Sequence, residues 1–564
     1  MPRTRHKFHI GWLWLVPLTL LFLFRWWGPG LPISPRGESV PQLSYLWMLR
    51  RLWASGDALR GWNPLILGGE PTATARVYHL HLTLAAISWL TSLAPEWVLK
   101  ITHGLTAFLA ALGAYMYARH LGRTSGAAVV AGLAFALFPA RILLTAESLF
   151  VTCVWAGLPW VFWAYERAQD HCSEHGASSL KHRMGSPAIN WGLALTWIAL
   201  TGPQWFLLLL SPLALYILLR EGISWVQERL QAGSAAFAPH LRALGLDMLI
   251  AGSVVIGLSL FYYLPVLVEQ DQLWSSHYVR VYPGVSRWSV SWPLLLRILL
   301  RRWAPTFQPY GWDLARVFPN IAWYLGLALC ALALAGLTWR REWRRHVPLL
   351  GMLLASLLLV AGPTIPHNPA YAIVRRIPYI SDSVRNAFRY LWPASFCLAA
   401  LAAAGVDRLS SLIPGVMGHW AIPALAAVLI QADFWPLTQA YQTVDHYMST
   451  NEIAAHRWLD AVEQPGRYWV PFQLARPGEH YADTSYGVRY NGRPSINDNE
   501  YHSPAAPDRA TLLFRLGLRG QAERAEGFTP SAQAILDLSA TRYVLLHLWP
   551  EQYEKTLERL LASG

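Results

Sequence analysis

Apolar runs close to twenty residues long dominate this chain, and a run of that length has one comfortable solvent. The stretches 10–27, 250–268 and 347–362 each match the ~20 residues an α-helix needs to cross the hydrocarbon core of a bilayer. Hydrophobic residues make up 54% of the 564 and charged residues 14%, which leaves too little polar surface for a water-soluble globule of this size. Trp and Tyr recur near the ends of the apolar runs (Trp26, Trp27, Trp62, Trp288, Trp303, Trp323, Trp392, Trp435), where amphipathic rings favour the headgroup region. The expected class is therefore mainly α: a polytopic transmembrane helical bundle in a cell membrane, with membrane lipids as its surroundings. The first run contains Pro17 and leads into Arg25-Trp26-Trp27 without a small-residue cleavage pattern, so it is expected to stay as a span.

The four cysteines (Cys153, Cys172, Cys330, Cys397) are scattered and suggest neither a disulfide framework nor a metal site. His79, His81 and His103 match no dedicated metal spacing either. A net charge of +13 in a soluble protein would point to nucleic acid, but here the basic residues cluster beside the apolar runs, where they set topology. No nucleic-acid partner is expected. The cluster Arg340-Arg341-Glu342-Trp343-Arg344-Arg345 and the N-terminal Arg3, Arg5 and Lys7 both belong on the cytoplasmic side. Counting 80–93 as a span would place the Arg119/Arg123 and Lys181/Arg183 loops outside. At ~14 residues it is short for a crossing, and laying it in the outer interface brings every strongly basic loop inside.

About eleven spans result: 10–27, 97–118, 124–142, 148–166, 188–202, 203–220, 244–268, 320–339, 347–363, 389–406 and 416–437. The fifth and sixth form a hairpin broken at Thr201-Gly202-Pro203. The scheme gives a membrane domain, 1–437, with large outer loops at 28–96 and 269–319, followed by an extracytoplasmic domain, 438–564. In that last segment the composition turns polar. Short β-rich runs at 467–474 and 541–548, flanked by helix-period stretches at 452–462 and 552–561, predict a small α/β domain.

Candidate chemistry lies in the first outer loop, which carries Glu38, Asp57 and Glu70 around an amphipathic run at 43–53 and a Gly61-Trp62-Asn63-Pro64 turn. Carboxylates of a membrane-proximal loop can supply a general base or hold a divalent cation, though ordinary solvated acids would look the same.

The order of these elements resembles the GT-C superfamily of membrane glycosyltransferases: a first span, a loop with an acid just beyond it, an amphipathic helix, Trp62-Asn63-Pro64, Gly69-Glu70-Pro71, then paired spans. Leu158-Pro159, Tyr263-Leu264-Pro265, Arg385-Asn-Ala-Phe-Arg389 before an Ala-rich span, and Ala540-Thr-Arg-Tyr-Val-Leu-Leu-His547 are similar to bacterial YfhO-type membrane proteins in particular. Each motif is short, so the specificity comes from their order. The resemblance implies a polyprenyl-phosphate-linked sugar donor, a cell-envelope glycan or lipid acceptor, and inverting transfer on the outer face with a loop acid as base. Glu38 matches that position. Relatives more often carry Asp there, after a Gly; this chain keeps Gly37 and has the longer carboxylate. Where relatives often carry His at the outer start of the fourth span, this chain has Glu147. Asn63 belongs to the same substrate-side set.

Such a reaction also needs cations at the phosphate leaving group. Arg375, Arg376, Arg385 and Arg389 crowd the entry to the tenth span, with Arg385 and Arg389 one helical turn apart. The competing role for these arginines is snorkelling to lipid headgroups. A transporter or lipid flippase, hinted at by the Thr201-Gly202-Pro203 break, and a non-catalytic envelope-assembly relative are the alternatives. Ionisable residues near the midplane, which a transporter typically uses, are nearly absent from the proposed spans.

Overall fold

The computed structural model describes residues 10–23, 27–28, 31–33, 39–59, 62–63, 70–71, 78–142, 149–175, 187–232, 237–268, 324–339, 342–377, 387, 389–413, 415–438, 442–444, 450–464, 467–469, 489 and 541–544. After a 3-10 turn, Ile10–Trp14, come α1 (Leu15–Phe22), β1 (Leu31–Ile33), α2 (Ser39–Ser55), β2 (Trp62–Asn63), β3 (Glu70–Pro71), α3 (Tyr78–Thr91) and α4 (Pro95–His120). There follow α5 (Ser125–Ala136), α6 (Leu149–His175), α7 (Pro187–Thr201), α8 (Pro203–Ala232) and α9 (Phe237–Val268). The remainder is α10 (Leu327–Leu337), α11 (Trp343–Ala361), α12 (Pro369–Arg375), α13 (Leu391–Leu412), α14 (Val416–Thr438), β4 (Gln442–Val444), α15 (Thr450–Ala461), β5 (Arg467–Trp469) and β6 (Thr541–Val544).

Each stretch expected to span carries a helix. Six helices among the described residues are long and apolar enough to cross a membrane, and Gly11–Leu21, Ser125–Ala136 and Leu327–Leu337 are shorter apolar helices. The expected hairpin is interrupted where the sequence places the break. α7 ends at Thr201, Gly202 is non-helical, and Pro203 opens α8, a position where its missing N–H costs nothing. The helix α3, at 14 residues, is about 21 Å long, short of the ~30 Å hydrocarbon core.

The chain divides into two compact units. The first comprises residues 1–27, 102–260 and 284–441 and is a helical bundle centred on α13. Its sequence, Ala-rich from Ala394 to Gly405, is buried almost throughout. Small residues let backbones approach where lipid supplies no hydrophobic drive for helix association. A Cβ on Gly405 would lie 1.9 Å from the Leu332 carbonyl oxygen, and one on Gly336 would lie 2.4 Å from that of Leu401, so α10 and α13 meet backbone to backbone. On another side α13 receives α5, whose N-cap Thr124 accepts a hydrogen bond from the Ala127 N–H at 3.3 Å. Aromatic rings fill the remaining space: Phe162 stacks on Phe396 at 5.0 Å, with Tyr117, Phe135 and Tyr216 around them.

Among the described residues, two networks of polar groups lie inside this bundle, besides the smaller Tyr324–Asp433 and His103–Thr152 contacts. Tyr117 and Tyr216 share a hydrogen bond at 2.8 Å, Tyr216 donates to Glu166 at 2.6 Å, Glu166 pairs with Arg220, and Tyr165 donates to Glu221. At the end of α4, Arg123 meets Glu342 and His346, the Arg345 guanidinium donates to the Leu121 carbonyl at 2.9 Å, and the Thr124 hydroxyl and N–H donate to Asp407. This second network ties the α4–α5 and α10–α11 connections to the end of α13.

The second unit comprises residues 28–101, 261–283 and 442–564. Here α2 packs on α3: Trp53 stacks on Trp89 at 6.0 Å and donates its indole N–H to the Leu82 carbonyl at 3.1 Å, while Tyr45 meets His81 edge-on at 5.3 Å. The strands β1 and β4 pair antiparallel, Leu31 opposite Val444, and β2 and β3 form a short antiparallel pair, Asn63 opposite Glu70. The strands β5 and β6 pair in parallel, within two of the runs expected to be β. The helix α15 matches the expected 452–462 helix to within two residues, and 552–561 lies outside the described residues.

Candidate functional site

In the loop between the first two expected spans, α2 sets the geometry. Leu43, Leu46, Leu49 and Leu52 recur every third residue and are all buried, so that face is committed to packing. The other face leaves Trp47, Arg50 and Arg51 half-buried. Arg50 lies over the Trp47 ring at 5.1 Å, and the partner of Trp47 is Glu96, in the first turn of α4, where the helix N-terminus favours a carboxylate. Glu96 is 4% exposed; its Oε1 accepts the Trp47 indole N–H at 2.9 Å and meets the Arg489 guanidinium at 3.1 Å. Arg489 also lies over the Trp47 ring at 5.6 Å, and its carbonyl accepts from Arg51 at 3.4 Å. One turn beyond Glu96, Lys100 donates to the Gly28 carbonyl at 2.7 Å and lies over Trp97 at 4.7 Å.

Of the sequence candidates in this unit, Asp57 lies in the turn after α2, half-buried, and accepts the Ser55 hydroxyl at 2.9 Å. Asn63 and Glu70 face each other across the β2–β3 pair. Glu38 lies outside the described residues, immediately before the first residue of α2, and Glu147, Arg385 and the 269–319 loop lie outside them as well. Among the described residues no group of three or more His, Cys, Asp or Glu side chains converges as a metal site.

In the helical bundle, Arg375 and Arg376 are exposed at the end of α12. Arg389 is half-buried, two residues before α13, with its guanidinium over the Trp205 ring at 5.2 Å. Trp205 and Trp392 meet edge to face at 5.4 Å, and both approach Trp155 at about 6.5 Å. All three indoles are buried. Cation–π contact uses the face of the guanidinium, whereas its hydrogen bonds are made by its edge. Elsewhere in the bundle, the buried Arg141 donates to the Ala136 carbonyl, and His103 shares a hydrogen bond with Thr152 at 3.1 Å.

Sequence reading missed Glu96, Lys100, Arg141 and Arg489. A charged residue inside an apolar run was the available signal for Arg141. For Glu96 it was an acid directly after the Pro that opens a span. Nothing local marks Arg489.

No protein-family model matches the sequence, and no curated protein does. Solved structures do. Arabinofuranosyltransferase AftD from Mycobacteria aligns with 95% of this chain at a TM-score of 0.56 and 14% identity, and this chain spans 35% of its length. The oligosaccharyltransferase of Archaeoglobus fulgidus aligns with 98% of this chain at 0.54 and 14% identity, with 71% of its own length covered. The same archaeal protein, AglB, matches to the same degree in its complex with an inhibitory peptide and a dolichol-phosphate. Likeness of this extent at such low identity is a statement about architecture alone: the chain shares the fold of the parts of these proteins that it covers.

Proposed function

We propose that this protein is a membrane glycosyltransferase that moves a sugar from a polyprenyl-phosphate-linked donor to a cell-envelope glycan or lipid on the outer membrane face. The observation that carries the reading is the GT-C architecture over nearly the whole chain, in proteins described as an arabinofuranosyltransferase and an oligosaccharyltransferase. The order of sequence motifs, which resembles YfhO-type proteins, supports it.

In the proposed reaction Glu38 accepts the proton of the acceptor hydroxyl as the oxygen attacks the anomeric carbon. The bond to the phosphate oxygen breaks on the opposite face, and its electron pair leaves with the polyprenyl phosphate, inverting the configuration. Arg389, with Arg385 four positions before it in the sequence, stabilises the charge gathering on that phosphate through charge-assisted hydrogen bonds. Asp57 and Glu70 share the loop with Glu38, while Asn63, Glu147, Arg375 and Arg376 complete the substrate side.

The test is sugar transfer in proteoliposomes supplied with a panel of polyprenyl-phosphate sugars. Glu38→Gln keeps the side-chain shape and removes the base, so transfer falls by at least ~100-fold while insertion stays normal. Asp57→Asn and Glu70→Gln are the controls; a loss confined to one of them would mean that the base has been misassigned. The accompanying topology places the segment after 438 outside the cytoplasm, and a reporter active only in the cytoplasm, fused after residue 450, should stay silent.

A transporter or flippase is the second reading, and the helix break between α7 and α8 favours it. It predicts lipid movement across the vesicle membrane with the sugar linkage intact.

A further inference from the structure

We propose that Trp205 is a positioning residue: the break between α7 and α8 sets its indole beneath Arg389 and thereby fixes where that guanidinium lies. The transfer part of this inference rests on the glycosyltransferase reading above; the seat itself does not.

Arg389 and the residue after it both touch α8. The Arg389 guanidinium lies over the Trp205 ring at 5.2 Å, and the hydroxyl of the buried Tyr390 is 3.4 Å from that of Ser211. Two consecutive side chains are thus held by one helix. A guanidinium on a flexible stem has many rotamers, and one lying over a ring gives up most of that freedom. Its hydrogen bonds are made by its edge, so a fixed seat for the face also restricts where the edge can act. Tryptophan is the aromatic residue best suited to such a seat.

The second observation is what brings Trp205 to that place. The helix α7 ends at Thr201 and Pro203 opens α8, which puts Trp205 in its first turn. Gly202 between them is buried, and a Cβ on it would lie 2.5 Å from Val154 Cγ2 and 3.1 Å from Trp205 Cδ1. A residue without a side chain lets α8 start this close to α6. From there Trp205 meets Trp155 and Trp392. Elsewhere in the bundle, Trp160 and Trp197 donate their indole N–H groups to carbonyls at 3.1 and 2.7 Å. The buried N–H groups of Trp155, Trp205 and Trp392 have no acceptor among the described residues, an arrangement that costs free energy. What these three rings contribute is their faces, and one of those faces carries Arg389. The Thr201-Gly202-Pro203 break is then part of a cation seat, not of a transport path.

Two measurements on the full chain test this. The first is the rate at which phenylglyoxal, a guanidine-directed reagent, modifies Arg389, read by mass spectrometry as the loss of tryptic cleavage between Arg389 and Tyr390. Trp205→Leu removes the ring and should raise that rate several-fold, with Trp205→Phe in between. Trp191→Leu, at another buried tryptophan whose ring meets Tyr165, should leave it unchanged. An unchanged rate with Trp205→Leu, or an equal rise with Trp191→Leu, overturns the proposal whatever the activity. The second is sugar transfer in vesicles, where Trp205→Leu lowers kcat by ~10-fold with little change in acceptor KM and Trp205→Phe restores most of it, as misplacement of a group acting in the transition state does. A raised modification rate with normal kcat also overturns the assignment. If the wild type transfers no sugar while the modification rate responds, the seat stands and the glycosyltransferase reading falls. Should a leucine variant fail to fold, phenylalanine takes its place at both positions: Trp205→Phe must then give a smaller rise and Trp191→Phe none, and no rise with Trp205→Phe overturns the proposal.

Discussion

The helices α13 and α9 are both apolar and long enough to cross a membrane, yet they live in different surroundings. The most apolar stretch of α13 is 78% buried within the protein and that of α9 only 22%, although α9 is the more hydrophobic of the two. In α9, Leu249, Ile256 and Phe261 are each more than 60% exposed, as suits side chains that face lipid. In α13 the corresponding volume is given up: Ala, Gly and Ser replace Leu and Phe, and neighbouring backbones occupy the space. In a bilayer, residue size therefore tells more about helix packing than hydrophobicity does.

The sharpest way to break this contrast is Gly405→Leu. Its Cβ would collide with the Leu332 carbonyl, a backbone atom that cannot swing aside, so a cost of at least ~3 kcal/mol is expected, toward the upper end for overpacking. Thermal denaturation in detergent should then show a large fall in Tm or no folded protein at all. Smaller is the effect of Thr124→Ala, which removes the N-cap of α5 and its hydroxyl bond to Asp407 for about 1–2 kcal/mol. The same denaturation assay reads it, and an unchanged Tm would mean that the network joining α5 to the end of α13 contributes nothing. Smallest is Gly252→Leu in α9. Nothing lies within 4 Å of a Cβ there, and leucine is the better helix former by up to ~1 kcal/mol, so stability should hold or rise slightly. A large loss at Gly252 would show that α9 has a protein neighbour and is not simply lipid-facing.

What the sequence revealed follows from the range of the interactions. Helix positions were legible because a run of about twenty apolar residues has few alternatives, and the α7–α8 break because Gly-Pro stops a helix wherever it stands. The starts of β5 and β6 were legible from alternating aromatic and β-branched residues. Arg489 was not: it meets Arg51 across 438 positions, a contact that no local pattern marks. Glu96 read as an ordinary acid because its burial is conferred by Trp47 and Arg489. Glu166 and Glu221 were overlooked for a related reason. Nothing in the sequence joins them to their partners Tyr165, Tyr216 and Arg220, which only the fold brings into a network.

The pairing of β1 with β4 also has a bearing on how the protein is made. Residues 31–33 leave the ribosome early, but their partner strand at 442–444 follows about 400 residues later, which at ~5–20 residues per second is a wait of about 20–80 s. For that interval the edge of β1 is open to any other chain. The nascent protein must therefore carry an unsatisfied strand until the last helix of the bundle has been made and β4 arrives.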